Sequence, residues 1–262
     1  PNLAWGFHIL PYIELTSLYE QFDQSKQASY GTPGGAVENI DLIGTVVETY
    51  RCPSANSPLT GSFAAYPGFY PEVPALAISN YVGSGSSCEV CLVGYLPDSR
   101  DGSDIYLKCT ERNPDSGLPF PFANDRSRQN GVVFRNSYTP MKAITDGTTH
   151  TFLAGERIYA MVLDPAQENR QFFSQAYWAG HPGPVSHQLG CHSGNVTAFV
   201  TYGKQRKSPM INGHVYGFNS FHPGGVHTAR CDGSASFFED GVDQALVEFL
   251  VRIDDGQALE AF

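Results

Sequence analysis

The pair Asp232-Gly233 stands between two stretches of alternating character, Val226 to Cys231 and Ser234 to Glu239. An Asp-Gly pair between β-like runs is a strong signal for a two-residue hairpin, because a type I′ turn demands positive φ at both central residues. An antiparallel ribbon is therefore expected near the C-terminus. Just beyond it, Val242, Ala245, Leu246, Phe249 and Leu250 recur at three- and four-residue spacing, so Val242 to Val251 reads as a helix. A chain with strand, turn, strand and helix in succession is mixed, and its other elements should pack around an antiparallel sheet.

The rest of the sequence fits that frame. Tyr12, Leu15, Leu18, Tyr19 and Phe22 share one helical face, and Pro11 suits a first turn, so Leu10 to Phe22 is expected to be a helix. A loop follows at Gly31, Pro33, Gly34 and Gly35, then a short helix at Val37 to Ile43. The β-branched run Thr45 to Arg51 reads as a strand ending at Cys52-Pro53, and residues 53–78 read as a surface loop. Asn80 to Gly83 starts another extended segment. Between Ser84 and Arg128 periodicity fades among cysteines, prolines and turn residues, which marks 84–130 as an insertion held by disulfides. The core pattern resumes at Gly131 to Phe134, Met141 to Gly147 and the strand Thr151 to Arg157. The expectation is α+β: one domain over 1–262, with N-terminal helices packed on an antiparallel sheet and a Cys-rich loop insertion.

Composition narrows the function. Charged residues are only 16%, against roughly 25% in ordinary soluble domains, while 27 Gly, 18 Pro, 17 Phe and 14 Tyr suit an exported, turn-rich protein. The net charge is −10, and the basic residues do not cluster beyond Lys204 to Lys207, so nucleic acid is not expected as a partner. Cys52, Cys88, Cys91, Cys109, Cys191 and Cys231 form an even set, and disulfides with open connectivity are the natural reading. Cys88 and Cys91 are half of a zinc knuckle, but no second CxxC follows. No apolar run reaches the roughly 18 residues of a membrane span. The chain opens at Pro1, and with the cysteines this points to a leader or anchor upstream.

Motifs for chemistry are sparse. His181, His187 and His192 lie close in sequence, but Pro182, Gly183 and Pro184 break any helix that could align them, and no metal is expected there. His8, His150, His214, His222 and His227 complete the set. No Gly-x-Ser-x-Gly elbow is present. Calcium is the one cofactor the loops could take, at Asp98, Asp101 and Asp104, at Asn124-Asp125 or at Asp146. No catalytic residue is assigned.

His222 is followed by nine residues and then Asp232-Gly233. This resembles the signature of the bacterial H-X9-DG prepilin-type family, whose function is unknown. Four further stretches agree in order: Trp5 to Glu14 with Leu18-Tyr19, Cys52-Pro53-Ser54, Asn80-Tyr81-Val82-Gly83, and Asn130 to Phe134 through Ile144 to Thr148 up to Gly155-Glu156-Arg157. The resemblance implies a pilin-like head that lacks here its prepilin motif and long apolar helix. It further implies a non-enzymatic subunit of a filament, secretion apparatus or cell surface, self-associating or joining other pilin-like subunits. Such a head would be extracellular or periplasmic, and tied to the membrane only through the upstream helix. A secreted surface module binding glycan or protein is the alternative, with a metal- or carboxylate-dependent hydrolase behind it. An extended run from His222 to Asp232 would span about 33 Å, so the motif pair His222 and Asp232-Gly233 should mark two bends of a ribbon.

Overall fold

A computed structural model of the chain describes residues 3–25, 39–61, 75–86, 131–133, 138–164, 170–180, 197–199, 211–213, 217–253 and 256. Helices α1 (Trp5–Ile9) and α2 (Thr16–Gln21) are joined by a 3-10 turn at Leu10–Ile13, and α3 (Ile40–Ile43) follows. Strands β1 (Thr60–Gly61) and β2 (Leu76–Ala77) form a small antiparallel pair. Next come β3 (Tyr81–Ser86), β4 (Phe152–Glu156) and the antiparallel pair β5 (Ala160–Asp164) and β6 (Arg170–Ser174). β7 (Thr197–Phe199), β8 (Gly225–Arg230), β9 (Ala235–Glu239) and α4 (Gln244–Val251) complete the order.

The main sheet has the spatial order β7-β3-β4-β8-β9. The mixed α+β class is as expected, with one correction to the sheet. β3, β4, β8 and β9 are antiparallel neighbours, but β7 lies parallel to β3. A parallel neighbour needs a long crossover rather than a hairpin, and β7 follows β3 only after more than a hundred residues.

The C-terminal ribbon forms where expected, with a different turn. Arg230 N–H donates to Ser234 O at 2.8 Å, and Gly233 N–H donates to Arg230 O at 3.0 Å. The loop is thus Cys231, Asp232 and Gly233, and of these only Gly233 has positive φ, at +88°. This is the three-residue hairpin whose last position is left-handed, not the two-residue type I′ turn. Asp232 stabilises the bend by accepting from Ser234 N–H at 2.9 Å and Ser234 Oγ–H at 2.7 Å.

Asp243 caps α4 by accepting from Ala245 N–H at 2.8 Å. The buried face of α4 centres on Val247, Leu250 and Val251, rotated from the Ala245 and Phe249 side that spacing suggested. These residues pack with Val82, Phe152, Phe218 and Val226 beneath the sheet.

Two N-terminal expectations need correction. The continuous helix Leu10 to Phe22 is broken at Glu14, whose φ of +65° ends the 3-10 turn and leaves Tyr12 85% exposed. The expected strand Thr45 to Arg51 is instead extended chain leading into a 3-10 turn at Glu48–Tyr50. Its bend aims Tyr50 inward, where the hydroxyl donates to Gly6 O at 2.6 Å and the ring stacks on Trp178 at 5.7 Å. Trp178 Nε1–H donates to Thr45 O at 3.0 Å. Tertiary packing overrides the β-branched composition here. Phe7, Leu10, Leu18, Phe22 and Val47 fill in around these aromatics as a second core.

Ser84 to Ser86 belong to β3, and the rest of the expected insertion to residue 130 lies outside the described residues. No helix among the described residues is long and apolar enough to cross a membrane.

Candidate functional site

Four separate segments meet beside the start of β8. The first is the bend at Cys52, closed by Ala55 N–H donating to Cys52 O at 3.0 Å, with Pro53 in the second position that a turn favours. The second is Asn80, which is 1% exposed between β2 and β3. Its main chain donates to Tyr50 O and accepts from Arg157 N–H, both at 2.8 Å. Its Oδ1 accepts from Cys52 N–H at 3.2 Å, and its Nδ2 donates to Ser57 Oγ at 3.2 Å and Arg157 O at 3.3 Å. Only an amide side chain can accept on one side and donate on the other in this way.

The third segment is the end of β4. A register shift between Phe152 and Ala154 breaks the alternation, so Gly155 and Glu156 are both buried. Such irregularities re-aim side chains. Gly155 is needed because a Cβ there would enter the Phe218 ring. Arg157 is buried and donates from Nε to Gly217 O at 2.8 Å, and Asn219 N–H donates to Glu156 O at 2.8 Å. The fourth segment is the turn before β8. Ser220 Oγ accepts from His222 N–H at 3.0 Å and donates to Gly225 O at 2.6 Å, while Gly224 supplies a φ of +85°.

At the centre lies the Glu156 carboxylate, 4% exposed. Oε1 is 3.1 Å from His222 Nε2 and accepts from the Cys52 thiol at 3.4 Å. Oε2 accepts from His227 N–H at 2.7 Å and lies 3.5 Å from His227 Nδ1. Cys52 Sγ is 3.6 Å from His222 Nε2. The His222 and His227 rings meet edge to face at 4.7 Å, and His227 meets Phe237 at 5.0 Å.

Burial pushes the Cys52 thiol above its ordinary value, and the adjacent Glu156 carboxylate adds to it, although the N–H groups of Ser54 and Ala55 partly oppose them. Tyr81 is pushed up to about 12, first by burial and then by the charges of Cys52 and Glu156. At neutral pH both groups are protonated donors. A thiol held in this state is a poor nucleophile.

The residues singled out from sequence divide. His222 is in the site, while Asp232 and Gly233 lie at the far end of the ribbon in an exposed turn. Cys52 and Cys231, expected as half-cystines, are free thiols. The Cys52 sulfur is engaged by Glu156 and His222 instead. Cys231 sits in the hairpin loop, its thiol pushed up to about 11 by burial and then by Asp232. Cys88, Cys91, Cys109 and Cys191 lie outside the described residues, as do His181, His187, His192, His214 and the calcium candidates at 98–104 and 124–125. Asp146 accepts from Gly256 N–H at 3.0 Å in a turn.

Glu156, Asn80 and His227 join the site: Asn80 and Glu156 stand in the blocks Asn80 to Gly83 and Gly155 to Arg157, and His227 lies between His222 and Asp232, but none was singled out as a site residue. Besides those blocks, the available signal was a carboxylate ending an otherwise apolar strand. The depression over the cluster is lined by Cys52, Asn80, Glu156, Phe221 and His222 among others, with a volume of about 10 Å³. That is about the room one water needs, roughly 10–15 Å³, so the site suits an ion or a group of water size. Among the described residues, Cys52 Sγ, Glu156 Oε1 and His222 Nε2 are the atoms that could hold a metal, all within 4.8 Å of one another.

No curated protein and no solved structure matches the chain. The model of a family described as "Protein of unknown function (DUF1559)" matches residues 1–245, and the chain belongs to that family.

Proposed function

We propose that the chain is the exported head of a pilin- or pseudopilin-like subunit of the H-X9-DG prepilin type, and that it serves by shape and attachment without catalysing a reaction. It would be one domain over 1–262, with the segment 84–130 closed by cysteines. Because Cys52 and Cys231 are free, Cys88, Cys91, Cys109 and Cys191 remain as an even set for that closure. The head would work outside the cytoplasm, beside other pilin-like subunits, held to the membrane by an upstream helix.

One observation carries this reading: the polar residues of the motif blocks are used in joining segments. Asn80 binds Tyr50, Cys52 and Arg157, and Glu156 binds Cys52, His222 and His227. The one nucleophile in the cluster is a protonated thiol whose proton faces a buried carboxylate. Near the N-terminus, Leu3 pairs with Gly180 and Ala4 N–H donates to Ala179 O at 2.8 Å. A membrane anchor upstream would therefore pull on an extended segment already clamped to the body.

The test is expression of the complete gene with the secretion machinery of its own host. Cleavage at a prepilin site, with the product in the membrane and sheared-surface fractions, is expected. A product released in soluble form after conventional signal-peptide removal would overturn the reading and favour a secreted binding module. One feature supports that second possibility: Phe221 and Phe237, each 44% exposed, lie beside the two histidines and could stack on a sugar or a partner chain. Binding on a glycan array would establish it.

A further inference from the structure

We propose that Cys52, Glu156 and His222 form a binding site for a divalent transition-metal ion of the zinc class, with three protein ligands and an open fourth position.

The size of the triangle is the first argument. Zinc bonds of about 2.3 Å to sulfur, about 2.0–2.1 Å to nitrogen and about 2.0–2.2 Å to oxygen at tetrahedral angles place the ligand atoms roughly 3.6, 3.6 and 3.4 Å apart. The observed edges are 3.6 Å for Sγ to Nε2, 3.4 Å for Sγ to Oε1 and 3.1 Å for Nε2 to Oε1. All three agree with the tetrahedral face to within about 0.3 Å.

Hydrogen bonds to Glu156 Oε1 account for two of these edges, and the third, 3.6 Å between sulfur and nitrogen, is ordinary contact distance. The same three atoms lie where a single cation could bind all of them.

The supporting contacts are those a metal site needs, since groups behind the ligands fix their orientation. Glu156 is held through its other oxygen by His227 N–H at 2.7 Å. Cys52 is held through its N–H by Asn80 Oδ1, and His222 through its N–H by Ser220 Oγ. The ligands come from three distant parts of the chain, so their convergence is a property of the fold.

The donor set selects the ion. Thiolate and imidazole favour zinc, cobalt or copper over calcium, which takes oxygen ligands. On binding, the Cys52 S–H bond breaks, its electron pair forms the metal–sulfur bond and the proton leaves to solvent. Thiolate and carboxylate then balance the two positive charges. His222 keeps 24% of its side chain exposed at the mouth of the depression, so the fourth position faces solvent and would hold water or an exchangeable group.

The test uses the full chain, stripped with a chelator and loaded with zinc alone. Uptake of one equivalent is expected, with X-ray absorption at the zinc edge showing one sulfur and otherwise nitrogen or oxygen neighbours. Cys52→Ser and His222→Ala should each weaken zinc at least about tenfold in competition with a chromogenic chelator, and Cys231→Ser should leave it unchanged. No uptake by the unmutated chain overturns the proposal. So does a zinc shell with no sulfur or with two or more, which would place the ion at other cysteines. Because the absorption spectrum is read on the unmutated chain, a variant that misfolds does not obscure the result. The outcome is independent of export and anchoring, which fractionation of the complete gene product tests separately.

Discussion

The two ends of the β8–β9 ribbon carry one sequence signature and are built on opposite principles. At the His222 end the side chains are satisfied by residues far away in the chain: Glu156 reaches Cys52, His222 and the His227 main chain, almost without solvent. At the Asp232 end the side chain is satisfied by its own turn, through Ser234, in full contact with water. That end is tied to the neighbouring segment at residues 148–151 by main-chain bonds from Cys231 to Thr151 and from Asp232 to Thr148, and by the Arg230 guanidinium, which donates to Thr149 O. Two residues of one motif thus do unlike work. The histidine belongs to a buried junction of four segments, and the aspartate belongs to a local bend. Loss of the first should be felt across the molecule, and loss of the second only at the turn.

Glu156→Ala should have the largest effect. It takes the acceptor from the His227 N–H, the Cys52 thiol and the His222 ring, and hydrogen bonds to a charged group are worth about 1.5–3 kcal/mol each, less where solvent reaches His222. Urea denaturation followed by circular dichroism reads this directly, and an unshifted midpoint would break the contrast between the two ends. Asn80→Ala should follow at about 2–3 kcal/mol, because it leaves the Cys52 N–H without its acceptor and removes two donated bonds. Gly233→Ala should cost less, about 1–2 kcal/mol, the penalty for a side chain in the left-handed region. No atom lies within 4 Å of the added Cβ, so strain of the backbone is the whole effect. Should Gly233→Ala match Glu156→Ala, the turn end would have to be as deeply coupled to the core as the junction.

The ribbon, the strand at Phe152 to Glu156 and the last helix were legible because each is encoded locally, by turn residues and periodic apolar positions. The geometry of the turn was not, since Asp-Gly serves two loop types and only main-chain bonds to Ser234 and Arg230 distinguish them. The face of α4 was legible only to within a rotation, because Val247 and Leu250 are selected by the shape of the Val82 and Phe152 surface. The junction was hidden for a different reason. Cys52, Asn80, Glu156 and His222 sit in four separate blocks, each of which reads alone as a turn or a strand end. Their order along the chain was visible, but nothing in one sequence says that they converge. The motif spacing sets His222 beside Asp232 on paper, whereas its partner in space is Glu156, 66 residues upstream at the end of β4.

Asp232→Ala should have the smallest effect, and pH gives it a signature that the junction variants lack. The Ser234 hydroxyl, followed by the Ser234 N–H, holds the Asp232 carboxyl below its ordinary value of 3.8. A carboxyl depressed by folding adds stability above its unfolded pKa, and that contribution is lost as pH falls through the folded value. The difference between the unmutated chain and Asp232→Ala should therefore be present at neutral pH and shrink in acid below 3.8. Because the group is fully exposed, salt should shrink it as well. Asp232→Asn keeps an oxygen facing Ser234 and should lose only the part that depends on charge. Thermal midpoints of the three proteins across pH separate the hydrogen bond from the charge. A difference that persists undiminished in acid would mean that Asp232 acts through something other than its ionised bond to Ser234, and the turn could no longer be treated as self-contained.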